Sequence, residues 1–371
     1  MSEIDEKTSR LQQMLASNGL DGVVLNAQHN FAWLTAGGAN GVDHSRENGV
    51  ASLLVSREGK RFVLANSIEM PRMLAEEVSK DDFTPIEYSW QEEKADPGIV
   101  FERSKKLLGS SINLATDILT GPNVSPIEGK VAMCRYSLTS SERVRYRDLG
   151  RDSAAGMKMA TARVEQDDSE IQIAEKLRHE LAVFGITSVV TLVAVDERIS
   201  IFRHPIPTTK KLDKTALLVT CAKRHGLIVS LSRMVSFGKP SAELKARTEA
   251  TAAVNAAFWH ASKPGTSSAE LYQEGARAYE RLGFANEIDR HHQGGAAGYK
   301  TRDWVAHPAG TDVVQVDQAF AWNPSIRGTK VEETCIVGEG GIEVLTQSSD
   351  VPYVETKIEG QIYHSPGIII Q

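Results

Sequence analysis

Cysteine is scarce in this 371-residue chain. Its three cysteines, Cys134, Cys221 and Cys335, lie far apart and form no Cys-x-x-Cys pair. That pattern excludes a disulfide framework and a zinc-finger spacing, and it suits a reducing compartment. Long apolar runs are lacking too, and none approaches the roughly 18 residues that span a bilayer. The opening Met1-Ser2-Glu3-Ile4-Asp5 is acidic and leads into a helical pattern, unlike a secretory signal. Basic tracts are missing, and the net charge of −6 argues against a nucleic-acid partner. The expectation is a cytoplasmic protein with neither membrane nor nucleic-acid partners.

What is present describes an enzyme-sized globular chain. Hydrophobic residues make up 41% and charged residues 24%, and the length exceeds one ordinary core, so two domains are expected. Residues 4–18 carry an amphipathic helix with Ile4, Leu11, Met14 and Leu15 on one face. A buried strand from Gly22, a hairpin of Ala51–Val55 with Arg61–Ala65, and a helix over Glu69–Val78 complete an α/β pattern. The stretch from Gly121-Pro122 to Ser137 lacks periodicity and reads as a linker. The domains are therefore placed at 1–137 and 138–371.

The second domain opens at Thr139-Ser140-Ser141-Glu142, a helix-start signal. A helix to about Thr161 and another from Ser169, with Ile173, Leu177 and Leu181 inward, precede strands at 189–195, 216–220 and 226–233. Cys221–His225 reads as their connection, with Arg224 and His225 solvated. A second helix pair, Leu244–Ala261 and Ala269–Leu282, is also followed by strands, at 319–325 and 330–337. The repeat suggests duplicated αβ units around a cleft.

Chemistry concentrates in Arg290–Trp304, where His291 and His292 abut the glycine-rich Gly294-Gly295 run and Tyr299, Arg302 and Asp303 follow. Glycine lets backbone approach a ligand closely. Histidine is both the neutral-pH acid/base and a common metal ligand. An exposed turn, a metal site and a metal-free acid/base site all remain open on this stretch alone.

Four ordered motifs resemble the creatinase / aminopeptidase P / methionine aminopeptidase family, the pita-bread fold: His204-Pro205-Ile206-Pro207-Thr208, Gly226–Arg233, His292-Gln293-Gly294-Gly295 and Val331-Glu332-Glu333-Thr334. The resemblance implies an α/β (α+β) protein with a small N-terminal creatinase-type domain and a C-terminal pita-bread domain. The family's peptidases hold two divalent metals with two Asp, one His and two Glu. Those positions fall on Val219, Ser230, His292, Asn323 and Glu332, so three carboxylates are missing. No Asp or Glu occurs anywhere in residues 216–233. Hard divalent ions need anionic oxygen ligands, so neither a metal nor another cofactor is expected.

Creatinase shares this loss and cleaves a C–N bond with a histidine. By that resemblance His204 is the catalytic histidine, His292 a second acid/base and Glu332 an orienting carboxylate. Arg302 matches an arginine that holds substrate. His291, Tyr299, Trp322 and Asn323 are further candidates for substrate binding. Ser232 stands where creatinase has a Glu, which argues against creatine itself. The first reading is thus a metal-independent hydrolase of a C–N bond in a small polar nitrogen-containing molecule. The resemblance also implies a homodimer whose partner loop, residues 37–47, closes the cleft. The alternatives are an Xaa-Pro-type metallopeptidase with unorthodox ligands and a non-catalytic ligand-binding pseudoenzyme.

Overall fold

The computed structural model describes residues 2–119, 124–349 and 351–371 and resolves into two compact units, Met1–Arg135 and Tyr136–Gln371. In the first unit the helix Glu3–Ser17 starts from a Ser2 capping box with Asp5 and buries Leu11, Met14 and Leu15. One six-stranded sheet runs Thr84–Tyr88, Arg61–Asn66, Asn48–Ser56, Gly22–Ala27, Leu114–Thr116 and Ser125–Pro126. The hairpin expected across residues 57–60 is present, with Val55 opposite Arg61.

The expected linker needs correction. Gly121 and Pro122 lie outside the described residues, but Ser125–Pro126 pairs in the sheet and Glu128–Arg135 is a helix. That helix is short, and what fixes it is polar. Glu128 meets His29 Nε2 at 2.9 Å, and Arg135 Nη1 donates to Asn30 Oδ1 at 2.6 Å. Such contacts leave no trace in hydrophobic periodicity.

The second unit contains two helix-pair-and-sheet halves. Helices Ser140–Ala162 and Glu170–Ala182 precede a four-stranded sheet ordered Ile368–Ile370, Leu227–Ser236, Thr215–Arg224, Thr187–Val195. Helices Ala242–Ala261 and Ser268–Arg281 precede a five-stranded sheet ordered Trp304–Val305, Gly294–Ala297, Gln318–Trp322, Glu333–Gly338, Gly341–Val344. Thr139, Ser169, Ser241 and Ser267 each cap a helix with their side-chain oxygens. The connection expected over Cys221–His225 is mostly strand. Only His225 and Gly226 turn, both left-handed at φ 49° and 79°, as a tight hairpin requires. Arg224 is not merely solvated, since it donates to Asp152 Oδ2 at 2.8 Å.

The two sheets meet where Leu227–Ser236 passes the segment Glu332–Thr334. Ser232 N donates to Glu332 O at 3.0 Å, and Ser230 N donates to Thr334 Oγ1 at 2.7 Å. In the other sheet the strand Gly294–Ala297 lies so close to its neighbours that a Cβ on Gly295 would sit 2.1 Å from Trp304 O. We expect Gly295→Ala to cost about 1–3 kcal/mol by overpacking. Gly340→Ala, with nothing within 4 Å, should stay within about 0.5 kcal/mol of the parent. Chemical denaturation of both variants checks this, and equal stability would contradict the crowding argument.

Candidate active site

Three imidazoles gather at one point of the second unit. His291 Nε2 lies 3.1 Å from His204 Nε2, with ring centroids 4.9 Å apart at 74°. His292 joins them, with centroids 4.7 Å from His291 and 5.6 Å from His204. His204 and His292 are exposed, and His291 is buried.

Each ring is placed by a separate device. His204 sits in the loop after the short helix Glu197–Ile201, and that loop is pinned by Glu170, which is fully buried. Glu170 accepts from Thr208 N at 2.8 Å, Thr208 Oγ1 at 2.6 Å and Val195 N at 3.0 Å, and it pairs with Arg198. His291 Nδ1 meets Ser325 Oγ at 3.3 Å, and His291 O accepts from Gln293 Nε2. Tyr279 OH donates to Gln293 Oε1 at 2.8 Å and accepts from Ser325 N at 2.9 Å, which joins the two segments flanking His291.

Beside the histidines lies Glu332, buried and clasped by two cations. Arg302 Nη2 donates to Oε1 at 3.0 Å, and Lys330 Nζ stands 2.9 Å from Oε2. Arg302 Nη1 also reaches Ser230 Oγ at 3.4 Å. Burial pushes the Glu332 carboxyl up, but Lys330 and Arg302 outweigh it and hold it below the usual range. Burial, reinforced by nearby Arg302 and Lys330, lowers His292 to about 4 despite Glu332. Burial and Lys330 lower His204 as well, and burial takes His291 far below the ordinary histidine value. All three rings are therefore neutral at neutral pH, free to accept a proton or to bind a metal ion.

The neighbouring acid does something different. Glu333 pairs with Arg233 at 2.9 Å and accepts from Thr346 Oγ1, and burial still pushes it up to about 7. The two adjacent glutamates thus face different partners.

Among the residues singled out from sequence, His204, His291, His292, Arg302 and Glu332 come together. Asn323 is buried close in the chain, with its N donating to Gln293 O at 3.0 Å and its Oδ1 lacking a hydrogen bond among the described residues. Tyr299 and Trp322 are corrected as substrate-binding candidates. Tyr299 is buried and its hydroxyl donates to Glu142 Oε1 at 2.8 Å, inside the cap of a helix. Trp322 is 0% exposed, stacks on Phe258 at 4.5 Å and donates from Nε1 to Ser262 Oγ at 3.1 Å. Neither side chain has a face left for a ligand. Reasoning from sequence missed Lys330 and Glu170. Lys330 immediately precedes the Val331-Glu332-Glu333-Thr334 motif, which was its available signal. Glu170 showed only as the first residue of a helix.

The model of metallopeptidase family M24 matches residues 145–344, and the creatinase/prolidase N-terminal domain matches residues 7–135. The chain belongs to metallopeptidase family M24. Its fold is that of the family, a creatinase-type N-terminal domain and a pita-bread domain. A Xaa-Pro dipeptidase from Bacillus anthracis is similar in structure, with TM-score 0.79 at 18% identity over 99% of this chain and 100% of that one. The prolidase from Pyrococcus furiosus gives TM-score 0.74 at 14% identity over 91% and 99%. The N-terminal domain of FACT complex subunit SPT16 from chickpea, Cicer arietinum, gives 0.71 at 10% over 93% and 96%. No protein of curated function matches the chain in sequence.

A family of metallopeptidases implies metal ions, and the donors can be tested for them. Val219 is a buried hydrophobe opposite Ser232, and Ser230 Oγ receives Arg302. The two oxygens of Glu332 already face cations. These residues do not fit a carboxylate-bridged pair of hard ions. The imidazole cluster is a different donor set. Among the described residues, His204, His291 and His292 offer nitrogens within 4.8 Å of one another, enough for one transition-metal ion. The resemblance placed these histidines in one site, but their grouping as a three-nitrogen donor set was not foreseen from sequence.

Removing the charge of Glu332 strands Lys330 and Arg302. Glu332→Gln should lower the unfolding free energy by about 3–5 kcal/mol, and adding Lys330→Met should recover part of that loss. A urea-denaturation double-mutant cycle with no coupling would contradict the clasp.

Proposed function

We propose that this family M24 member hydrolyses a C–N bond in a small, polar, nitrogen-containing molecule by histidine acid/base chemistry, without the family's paired metal ions. The observation that carries the reading is the clasp of Arg302 and Lys330 on Glu332 beside neutral imidazoles. In this reading the two cations supply the positive charge that divalent metals would otherwise bring. In this reading a ring nitrogen of His204, on the exposed side of the cluster, takes a proton from water as the oxygen attacks the carbon. The same proton then passes to the leaving nitrogen. His292 holds the substrate by a hydrogen bond, and the buried His291 orients His204 through their 3.1 Å contact. Glu332 steadies the cation pair and, through it, the charge of the cleft. A homodimer in which residues 37–47 reach the partner's cleft belongs to the same proposal, supported by the exposure of Val42–Asn48.

The comparisons give more direct support to a second reading, an M24 metallopeptidase resembling Xaa-Pro peptidases. The family match and the dipeptidase and prolidase neighbours favour it, and the imidazole cluster offers it a ligand set. Elemental analysis of untagged protein, with melting curves before and after chelation, separates the two. Less than about 0.1 metal per chain and an unchanged melting temperature support the first reading. Stoichiometric metal whose removal lowers the melting temperature supports the second.

On the first reading, His204→Ala should lower kcat by about 10²–10⁴-fold with a smaller change in substrate affinity. Ammonia or amine release from a panel of amides, amidines and ureas provides the assay. Binding without turnover of any of them would leave a pseudoenzyme.

The pH dependence follows from His292. Its folded value is depressed to about 4 from 6.5, so the proton-accepting form persists well into the acid range. The unfolded chain protonates first. The stability contribution is thus complete above 6.5 and lost as pH falls from there towards 4. We expect melting temperature to fall across that window, less steeply in His292→Ala, while kcat/KM stays level through pH 6. A kcat/KM profile breaking at 6.5 would count against histidines of lowered pKa as the acid/base groups.

A further inference from the structure

One ring nitrogen of His204 is already engaged. Its Nε2 lies 3.1 Å from His291 Nε2, and two imidazole nitrogens at that distance share one proton, one donating and the other accepting. His204 Nδ1 forms no hydrogen bond among the described residues, and the residue is exposed. Nδ1 is therefore the nitrogen of His204 that can meet water or substrate.

The far side of His291 is held by a closed ring of hydrogen bonds. His291 Nδ1 meets Ser325 Oγ at 3.3 Å. His291 O accepts from Gln293 Nε2, Gln293 Oε1 accepts from Tyr279 OH at 2.8 Å, and Tyr279 OH accepts from Ser325 N at 2.9 Å. Tyr279 OH also lies 3.1 Å from Ser325 O. All four residues are buried, and none is more than 8% exposed. The ring fixes Ser325 relative to the imidazole, so Nδ1 of His291 faces the hydroxyl and Nε2 faces His204.

We propose that Ser325 is a positioning residue that sets the tautomer of His291, so that His204 presents a bare Nδ1 to the reacting molecule. The assignment rests on the reading of His204 as the base. A base needs a lone pair on Nδ1, so the His204 proton sits on Nε2 and is donated to His291 Nε2. His291, accepting there, carries its own proton on Nδ1 and donates it to Ser325 Oγ. The protonated nitrogen of an imidazole is set by the hydrogen bond that the other nitrogen makes. Here the series of bonds ends on a hydroxyl, which can accept. In the reaction Nδ1 takes a proton from water as the water oxygen bonds the carbon. The same proton leaves with the nitrogen as the C–N bond breaks. Between these steps His204 is a cation, and its Nε2–H already faces the bare nitrogen of His291. His291 thus orients the base as a carboxylate does in a Ser-His-Asp triad, with a neutral acceptor in place of a charged one.

The test reads the protons directly. The full chain is grown with isotope-labelled histidine, ten residues in all, and long-range proton–nitrogen NMR spectra report the tautomer of each ring. His204→Gln and His291→Gln identify the two signals. The expected result is a proton on His204 Nε2 with Nδ1 bare, and a proton on His291 Nδ1 with Nε2 bare. Ser325→Ala should disturb both tautomers and lower kcat about tenfold or more at unchanged KM. Ser325→Thr, which keeps the hydroxyl, should restore both. A role in packing alone would move stability and leave the tautomers as they are. A proton on His204 Nδ1 in the parent chain, or parent tautomers in Ser325→Ala, overturns the proposal. Failure of the hydrolase reading looks different. His204→Ala would then match the parent chain in turnover, while the tautomer of His291 still answered to Ser325.

Discussion

The cleft depends on how the strand Leu227–Ser236 is tied to Glu332–Thr334. Two backbone-centred hydrogen bonds and the buried Arg233–Glu333 pair join one αβ half to the other at this seam. The charged groups of the seam are almost wholly inaccessible. A buried pair is costly to break and adds little net stability when intact. Its effect here is to fix register. With Ser230 and Ser232 locked opposite Thr334 and Glu332, Arg302 and Lys330 can meet only one carboxylate. That alignment bears on the cluster, since the same cations add to the burial that lowers the imidazoles and hold Glu332 below the usual carboxylate range.

Much of this was legible in the amino-acid sequence, and for identifiable reasons. Helix starts at Thr139, Ser169 and Ser267 carry side-chain signals that are local. The four motifs sit in the strands and turns that reach the cleft, so His204, His291, His292, Arg302 and Glu332 could be named before their positions were known. Membership of family M24 accords with the resemblance that these motifs carried. What escaped was contact between residues distant along the chain. The Glu170 pin on the His204 loop and the approach of His204 to His291 have no periodic or spacing signature. Trp322 and Tyr299 read as pocket walls because they neighbour reactive residues in sequence. A strand sends neighbouring side chains to opposite faces, and Trp322 points instead into the helix Ala242–Ala261.

The His204 loop shows how a reactive group can be held without regular structure. Glu170 gathers four donors from two segments, so the loop is attached to the helix Glu170–Ala182 more firmly than its irregular backbone suggests. The catalytic candidate is exposed at its ring, and its supporting carboxylate is fully buried. This division lets water or ligand reach the imidazole while its position stays fixed.

The clasp of Arg302 and Lys330 also bears on what an added acid would do beside Glu332. Ser230→Asp would place its carboxylate against Arg302, whose guanidinium already touches that hydroxyl, and the result would be another salt bridge. Two ordinary basic side chains therefore act as a trap: an acid introduced beside them would be neutralised before it could serve as a ligand.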